Sequence, residues 1–311
     1  MDSEKTIELE ANNQFVETPY IADIMHRSLS YIKAGFPVHF RGPAGTGKST
    51  LAKHLATKIG RPVALLYGDE ELTTSNLIGG ETGYKLKRVR DNFISTVLKE
   101  EEEITKRWVD NRLTDACRNG YTLIYDEFTR SRPEANNVLL SVLQDKILTM
   151  SHQSNEGSPY LEVHPDFVAI FTSNPEEYAG TFKSQDALRD RMVTIDLDYP
   201  DYETELKIIY EKGSMPLDVC ELITDVVRSL REDGSCDFSP TIRAGIMIAK
   251  TMTALDMEPE DDMELFTKFC QDILVSETGS LTKNTNQNQV RSVIKSIINN
   301  RRPLNRTFMA V

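Results

Sequence analysis

Gly42-Pro43-Ala44-Gly45-Thr46-Gly47-Lys48-Ser49-Thr50 follows a short apolar run and opens a helical pattern, LAKHLATKIG, that ends at Gly60. This is GxxxxGK[ST] in the strand, loop and helix context that the motif needs. The glycines let successive backbone N–H groups curl around an anion, and the positive end of the following helix points at the same place. Lys48 is placed to bridge the β- and γ-phosphates of ATP, and Ser49 to ligate Mg²⁺. The chemistry of such a loop is phosphoryl transfer or hydrolysis.

Two further groups belong with it. The run Leu123-Ile124-Tyr125 delivers Asp126 and Glu127 at its carboxyl end. Asp126 is expected near the Mg²⁺ shell, and Glu127 where a water attacks the γ-phosphate. Acids after strands also cap helices, and it is the phosphate loop upstream that favours chemistry here. The run ending Phe171-Thr172-Ser173-Asn174-Pro175 brings an amide to the same edge. Asn-Pro is a turn signal in its own right, yet Asn174 can orient an attacking water by hydrogen bonding.

These groups must be held by a sheet. Val38–Arg41, Val63–Tyr67, Thr122–Tyr125, Phe167–Thr172 and Met192–Leu197 are apolar β-type runs alternating with helical patterns. That alternation predicts an α/β fold, a five-stranded parallel sheet flanked by helices, with ligands beyond the strands' carboxyl ends. From Pro200 the strands stop, and Glu203–Lys212, Leu217–Arg231, Pro240–Leu255, Asp262–Val275 and Val290–Asn299 read as amphipathic helices. The division is therefore expected between an α/β core, residues 1–200 with 1–14 flexible, and a smaller helical domain, residues 201–311. Thr278–Gln289, rich in Asn, Gln and Thr, reads as a loop.

Composition narrows the function. The 311 residues hold 36 Lys and Arg against 48 Asp and Glu, a net charge of −12. That sign argues against a general nucleic-acid coat, which would be repelled without a local basic patch, and a DNA motor conflicts with it and with the lack of any recognisable DNA-reading module. Four dispersed cysteines without a CxxC pair, and five histidines without HxxxH spacing, indicate neither a disulfide scaffold nor a zinc site. The acidic, polar N-terminus and the lack of a long apolar run predict a cytoplasmic protein with no membrane partner.

With a phosphate loop, an acidic pair, Asn174 and a helical C-terminal part, the chain resembles the AAA+ P-loop NTPases, in their MoxR-type branch. The blocks VHFRGPAGTGKSTLA, LIGGETGY, NGYTLIYDEFTRSRPEANNVLLSVLQ, VHPDFVAIFTSNPEEYAG and QDALRDRMVTIDLDY, in unbroken order over residues 15–200, resemble more specifically the gas vesicle protein N family. The resemblance implies a ring of copies of the chain, expected as a hexamer, with residues 201–311 as its lid. It also implies a gas vesicle shell or accessory protein as the object of the work. In such rings an arginine of one subunit reaches the γ-phosphate held by the next. The matching segment is Asp186–Met192, with Arg191 on the usual finger position and Arg189 beside it as the rival. Ser239-Pro240-Thr241-Ile242-Arg243 matches the second sensor, an arginine that folds onto the nucleotide.

In the MoxR branch an insert at Asn76–Arg90 lies on one axial face of the ring and moves with the nucleotide state. Gly79, Gly80 and Gly83 would allow such motion, although a solvated basic loop would read the same way. Ile147–Val163 reads as a hairpin with a polar tip, SNEGSP, placed to touch a client. The run from Lys99, with Ile104, Trp108, Leu113 and Ala116, reads as a helix with an acidic end. The expected function is a Mg-ATP-hydrolysing remodelling ATPase for the assembly or enlargement of gas vesicles. The alternatives are an activator of another enzyme and a nucleotide-gated structural component of the vesicle.

Overall fold

The computed structural model describes residues 15–90, 100–150, 159–175, 186–234, 236, 238–278 and 287–300, with backbone alone for 81–90, 100–108 and 186. The strands are β1 (Val38–Arg41), β2 (Val63–Tyr67), β3 (Gly79–Arg90), β4 (Glu100–Asp110), β5 (Thr122–Asp126), β6 (Ile147–Thr149), β7 (Tyr160–Glu162), β8 (Val168–Ser173) and β9 (Val193–Asp196). Between them lie α1 (Pro19–Lys33), α2 (Lys48–Ile59), α3 (Thr74–Ile78), α4 (Arg112–Asn119), a 3₁₀ turn (Phe128–Arg130), α5 (Pro133–Asn136), α6 (Val138–Gln144) and α7 (Asp186–Arg189). After β9 come α8 (Tyr202–Gly213), α9 (Leu217–Asp233), α10 (Ile242–Ala254), α11 (Met263–Thr278) and α12 (Gln287–Asn300).

The apolar runs pair in the order β2-β5-β8-β1-β9, all parallel. β1 lies between the last two strands to be added, so the winding of the chain reverses at its carboxyl end. Register brings the ends of the strands level: Arg41 stands opposite Ser173 and Asp196, and Tyr67 opposite Asp126. The run of buried side chains along β5 is that of a strand covered on both faces.

The chain forms two compact units. Met25–Gly42 and Lys48–Leu197 make the first. Its core includes Leu66, Leu123, Tyr125, Phe128, Leu139, Phe171 and Leu188. The second comprises Asn13–Ile24, Pro43–Gly47 and Asp198–Val311, over their described residues. Here Ile209, Val219, Ile223, Leu230, Ile248, Phe266 and Ile294 pack together. α8 starts where the Asp201 carboxylate accepts the Thr204 N–H at 2.7 Å, a helix cap that satisfies one of the free donors of the first turn. Within the same unit Glu205, 1% exposed, takes Arg228 at 3.0 Å and Arg231 at 2.9 Å.

One expectation is corrected. The run from Lys99 to Ala116 is not a single helix: Glu100–Asp110 is strand and only Arg112–Asn119 is helical. Its partner is Gly79–Arg90, from the expected insertion, in an antiparallel ladder running from Gly79 opposite Asp110 to Arg90 opposite Glu100. The register sets Lys87 against Glu103 and Arg88 against Glu102, an acidic strand facing a basic one. This non-local backbone pairing outweighs a helical pattern read along the chain.

The expected hairpin before β8 is present as β6 and β7, with Ile147 opposite Glu162. Its tip at 153–158, His152, residues 1–14 and 279–286 of the polar stretch lie outside the described residues. No helix among the described residues is long and apolar enough to cross a membrane.

Candidate functional site

The phosphate loop leaves β1 at the reversal point and runs into α2. Gly42 is pressed against β9's continuation, where a Cβ would collide with the backbone of Leu197. Gly45 and Gly47 have φ of 78° and 85°, in the left-handed region that side chains other than glycine enter at a cost. α2 begins at Lys48 and ends at Ile59, and the N–H of the following Gly60 bonds back to the Ala56 carbonyl at 3.1 Å.

Lys48 is 7% exposed and its Nζ donates to the Gly42 carbonyl at 2.8 Å. Burial pulls its pKa from 10.5 down to about 8, and the negative charges of Glu127 and Asp126 only partly offset that loss of hydration. Ser49 Oγ donates to Asp126 Oδ1 at 2.7 Å, and Thr172 Oγ1 donates to the same oxygen at 2.5 Å. Asp126 is 7% exposed. A serine hydroxyl and a carboxylate oxygen are the hard donors that Mg²⁺ accepts, with water and phosphate filling its shell, so these two residues fit that ion.

Glu127 follows with φ 52° and ψ 41°, a left-handed conformation that costs about 1–3 kcal/mol for a residue with a side chain. The turn is held from several sides. Glu127 N–H donates to Thr172 Oγ1 at 2.9 Å, Tyr125 Oη donates to Ser131 Oγ at 2.8 Å, and Asn136 Nδ2 donates to the Phe128 carbonyl at 3.2 Å. The Glu127 carboxylate meets Arg130 at 2.8 Å.

Thr172 is the residue that sequence reasoning missed. It accepts from Glu127 and donates to Asp126, so one hydroxyl aligns both acids. Its signal was a hydroxyl two residues before Asn174, at the polar end of a strand that is apolar from Val168 to Phe171. Asn174, half-buried, follows directly on β8 at the same edge.

Lys48, Ser49, Asp126, Glu127 and Thr172 are thus brought together. Arg191 makes other contacts: Nε donates to Gln144 Oε1 at 2.9 Å, Nη2 donates to the same oxygen, and Nη1 donates to the Ala187 carbonyl. Arg189 lies close enough to Asp196 and His39 to act on their charge states. Arg243 stands exposed in the first turn of α10, its N–H bonded to Thr241 Oγ1 at 3.1 Å. Thr241 also donates its hydroxyl to Glu277, and Gly45 packs against it so closely that any side chain at Gly45 would collide.

The state of Lys48 has a consequence for pH. Between about 8 and 10.5 the folded chain without nucleotide holds Lys48 neutral while the unfolded chain keeps it protonated, so this group makes stability rise with pH there. Phosphate beside the amine restores its charge. Near pH 9, ATP binding is therefore expected to take up close to one proton, and near pH 7 none through this residue. Titration calorimetry in buffers of different ionisation enthalpy measures this, and no uptake near pH 9 would contradict it.

A parallel sheet with a phosphate loop at its reversal point, and acids at the end of β5, two strands away across β8, defines a P-loop ATP hydrolase. The AAA domain family, dynein-related subfamily, matches residues 37–192. The gas vesicle ATPase GvpN of Ancylobacter aquaticus is 46% identical over 286 residues, covering 91% of this chain and 80% of that protein. The protein of the same name from Haloferax mediterranei is 41% identical over 266 residues, 85% of this chain and 75% of its own length. A solved RuvB P216G mutant of Thermotoga maritima shares the fold with a TM-score of 0.54 and 14% identity, over 88% of this chain and 76% of that one. The chain belongs to the gas vesicle ATPase GvpN family of AAA proteins.

Proposed function

We propose that the protein couples Mg-dependent ATP hydrolysis, in a ring of its own copies, to the assembly or enlargement of gas vesicles, acting in the cytoplasm on a vesicle shell or accessory protein. What supports the hydrolytic part is the convergence of Lys48, Ser49, Asp126, Glu127 and Thr172 on one sheet edge. The vesicle part rests on the relatives' names. The Gly42–Thr50 loop and Lys48 hold the phosphates, Ser49 and Asp126 hold Mg²⁺, Glu127 takes a proton from the attacking water and Asn174 orients that water. Bound there, the ion would offset the charge of the phosphate oxygens.

Arg191 completes the site of a neighbouring copy. Its guanidinium, braced by Gln144 and Ala187, is a permanently charged fork of donors suited to phosphate oxygens. Residues 201–311 serve as the lid, with Arg243 in the role of second sensor. A component that merely bound ATP would have no use for a carboxylate set at a strained turn beyond the metal ligand, and this favours cycling.

The test is the number and length of vesicles, by electron microscopy, in cells whose only copy carries Lys48→Ala. Absent or small immature vesicles at a normal level of the variant are expected. Normal vesicles would overturn the vesicle role of hydrolysis.

A further inference from the structure

His39 sits within β1, 2% exposed, and takes no part in holding phosphate. Its Nε2 lies 2.8 Å from Ser173 Oγ and its Nδ1 3.1 Å from Thr194 Oγ1. Its ring meets Phe128 edge-on, with centroids 5.2 Å apart and planes at 84°. Each of these neighbours adjoins a different part of the site. Ser173 precedes Asn174, Phe128 follows Glu127, and Thr194 stands on β9 directly behind the segment that carries Arg189 and Arg191.

A buried histidine is a costly way to fill space, because its ring nitrogens must find partners that an apolar ring would not need. Burial, helped by the charge of Arg41, lowers its pKa to about 3, so the ring is neutral at any working pH and offers one donor and one acceptor. The two hydroxyls can each give or take a proton in a hydrogen bond, and the neutral ring therefore satisfies both. The result is a continuous polar link across three adjacent strands, β9, β1 and β8, within an otherwise apolar layer.

We infer that His39 is a positioning residue that ties the strand behind the donated arginine to the strand and turn bearing Asn174 and Glu127, so that engagement of a subunit's finger and alignment of its own site are coupled. The inference rests on the roles given above to Glu127, Asn174 and Arg191. Displacement of the finger segment would reach Ser173 through two hydrogen bonds, and Phe128 through one hydrogen bond and one ring contact.

The experiment measures ATP turnover against ATP concentration for His39→Phe, His39→Gln, Ser173→Ala, Thr194→Val and the Ser173→Ala/Thr194→Val pair. Affinity for a non-hydrolysable ATP analogue and thermal melting are followed alongside. His39→Phe keeps a planar ring and loses the link. Its kcat is expected to fall about tenfold, the scale of a modest loss of alignment when both hydrogen bonds of the link go. Analogue affinity is unchanged and the Hill coefficient drops to that of independent sites. His39→Gln, with a donor and an acceptor on one arm, recovers most of the rate. The Ser173/Thr194 pair loses no more than the worse single variant, because either break opens the same link.

Wild-type turnover and cooperativity in folded His39→Phe would overturn the inference. So would a loss matched by weaker analogue binding that His39→Gln does not repair, since that marks a packing role. If His39→Phe does not fold, the hydroxyl variants decide: additive losses or none overturn the link, and a shared loss supports it. Glu127→Gln run in parallel separates the two levels. Normal turnover in Glu127→Gln removes the site reading itself, whereas a dead Glu127→Gln beside a normal His39→Phe removes the coupling alone.

Discussion

Glu127→Gln is expected to lower the rate of ATP hydrolysis by about 10²–10⁴-fold, the usual contribution of a positioned general base, while ATP still binds. The amide has the size of the carboxyl but cannot accept the proton of the attacking water. The lost charge is felt by Arg130, which the carboxylate meets at 2.8 Å, and by Lys48, whose protonated form it helps to favour, but neither contact holds the loop in place. The backbone of residue 127 is anchored by its N–H to Thr172, which the substitution leaves in place. Lys48, Ser49 and Asp126 keep their mutual contacts, so the phosphates still have their cradle. Oligomers of the variant should therefore accumulate with ATP bound and uncleaved. Phosphate release, together with the nucleotide recovered from the isolated protein, provides the check. Turnover at the ordinary rate, or recovery of ADP alone, would remove Glu127 from this role.

Arg191→Ala is expected to cost more, about 10³–10⁵-fold in rate, because an arginine finger stabilises charge that develops only in the transition state. ATP affinity should change little, since each subunit's own loop is intact. The held geometry of Arg191, with two nitrogens on Gln144 and a third on the Ala187 carbonyl, presents its guanidinium on a braced arm. Arg189 is placed differently, with its charge felt by Asp196 and His39 inside its own unit. Arg189→Ala should therefore have the smaller effect on rate. Arg191→Lys should not restore activity, because a single ammonium cannot reproduce the fork of donors. Comparable losses in the two alanine variants, or a larger one at Arg189, would exchange the assignments.

What could be read from the residues alone follows from what is local. β1, β2, β5 and β8 are short runs with most of their residues buried, β9 is a short β-type run at the sheet edge, and the phosphate loop is a contiguous motif with a strand before it and a helix after it. Asp126, Glu127 and Asn174 sit at strand ends, and a parallel sheet brings such ends to one edge whatever the sequence between them. Thr172 escaped because its meaning depends on two residues 45 and 46 positions away. The helix expected through Ile104, Trp108, Leu113 and Ala116 failed for a related reason. Its first half finds a partner strand in Gly79–Arg90, and a ladder formed across the chain is not visible in the periodicity of one segment. The strained backbone of Glu127 and the lowered pKa of Lys48 likewise arise from packing, and no residue type announces them.

The central claim is that each ATP site is completed by two subunits, one giving Glu127 and the other Arg191. Phosphate release from a mixture of Glu127→Gln and Arg191→Ala subunits, each inactive alone, tests it most directly. Mixed oligomers would contain interfaces in which an intact Glu127 from an Arg191→Ala subunit faces an intact Arg191 from a Glu127→Gln subunit. The account predicts that mixing restores a measurable part of the wild-type rate, greatest near equal proportions. Mixed oligomers that form yet stay inactive at every proportion would contradict a shared site.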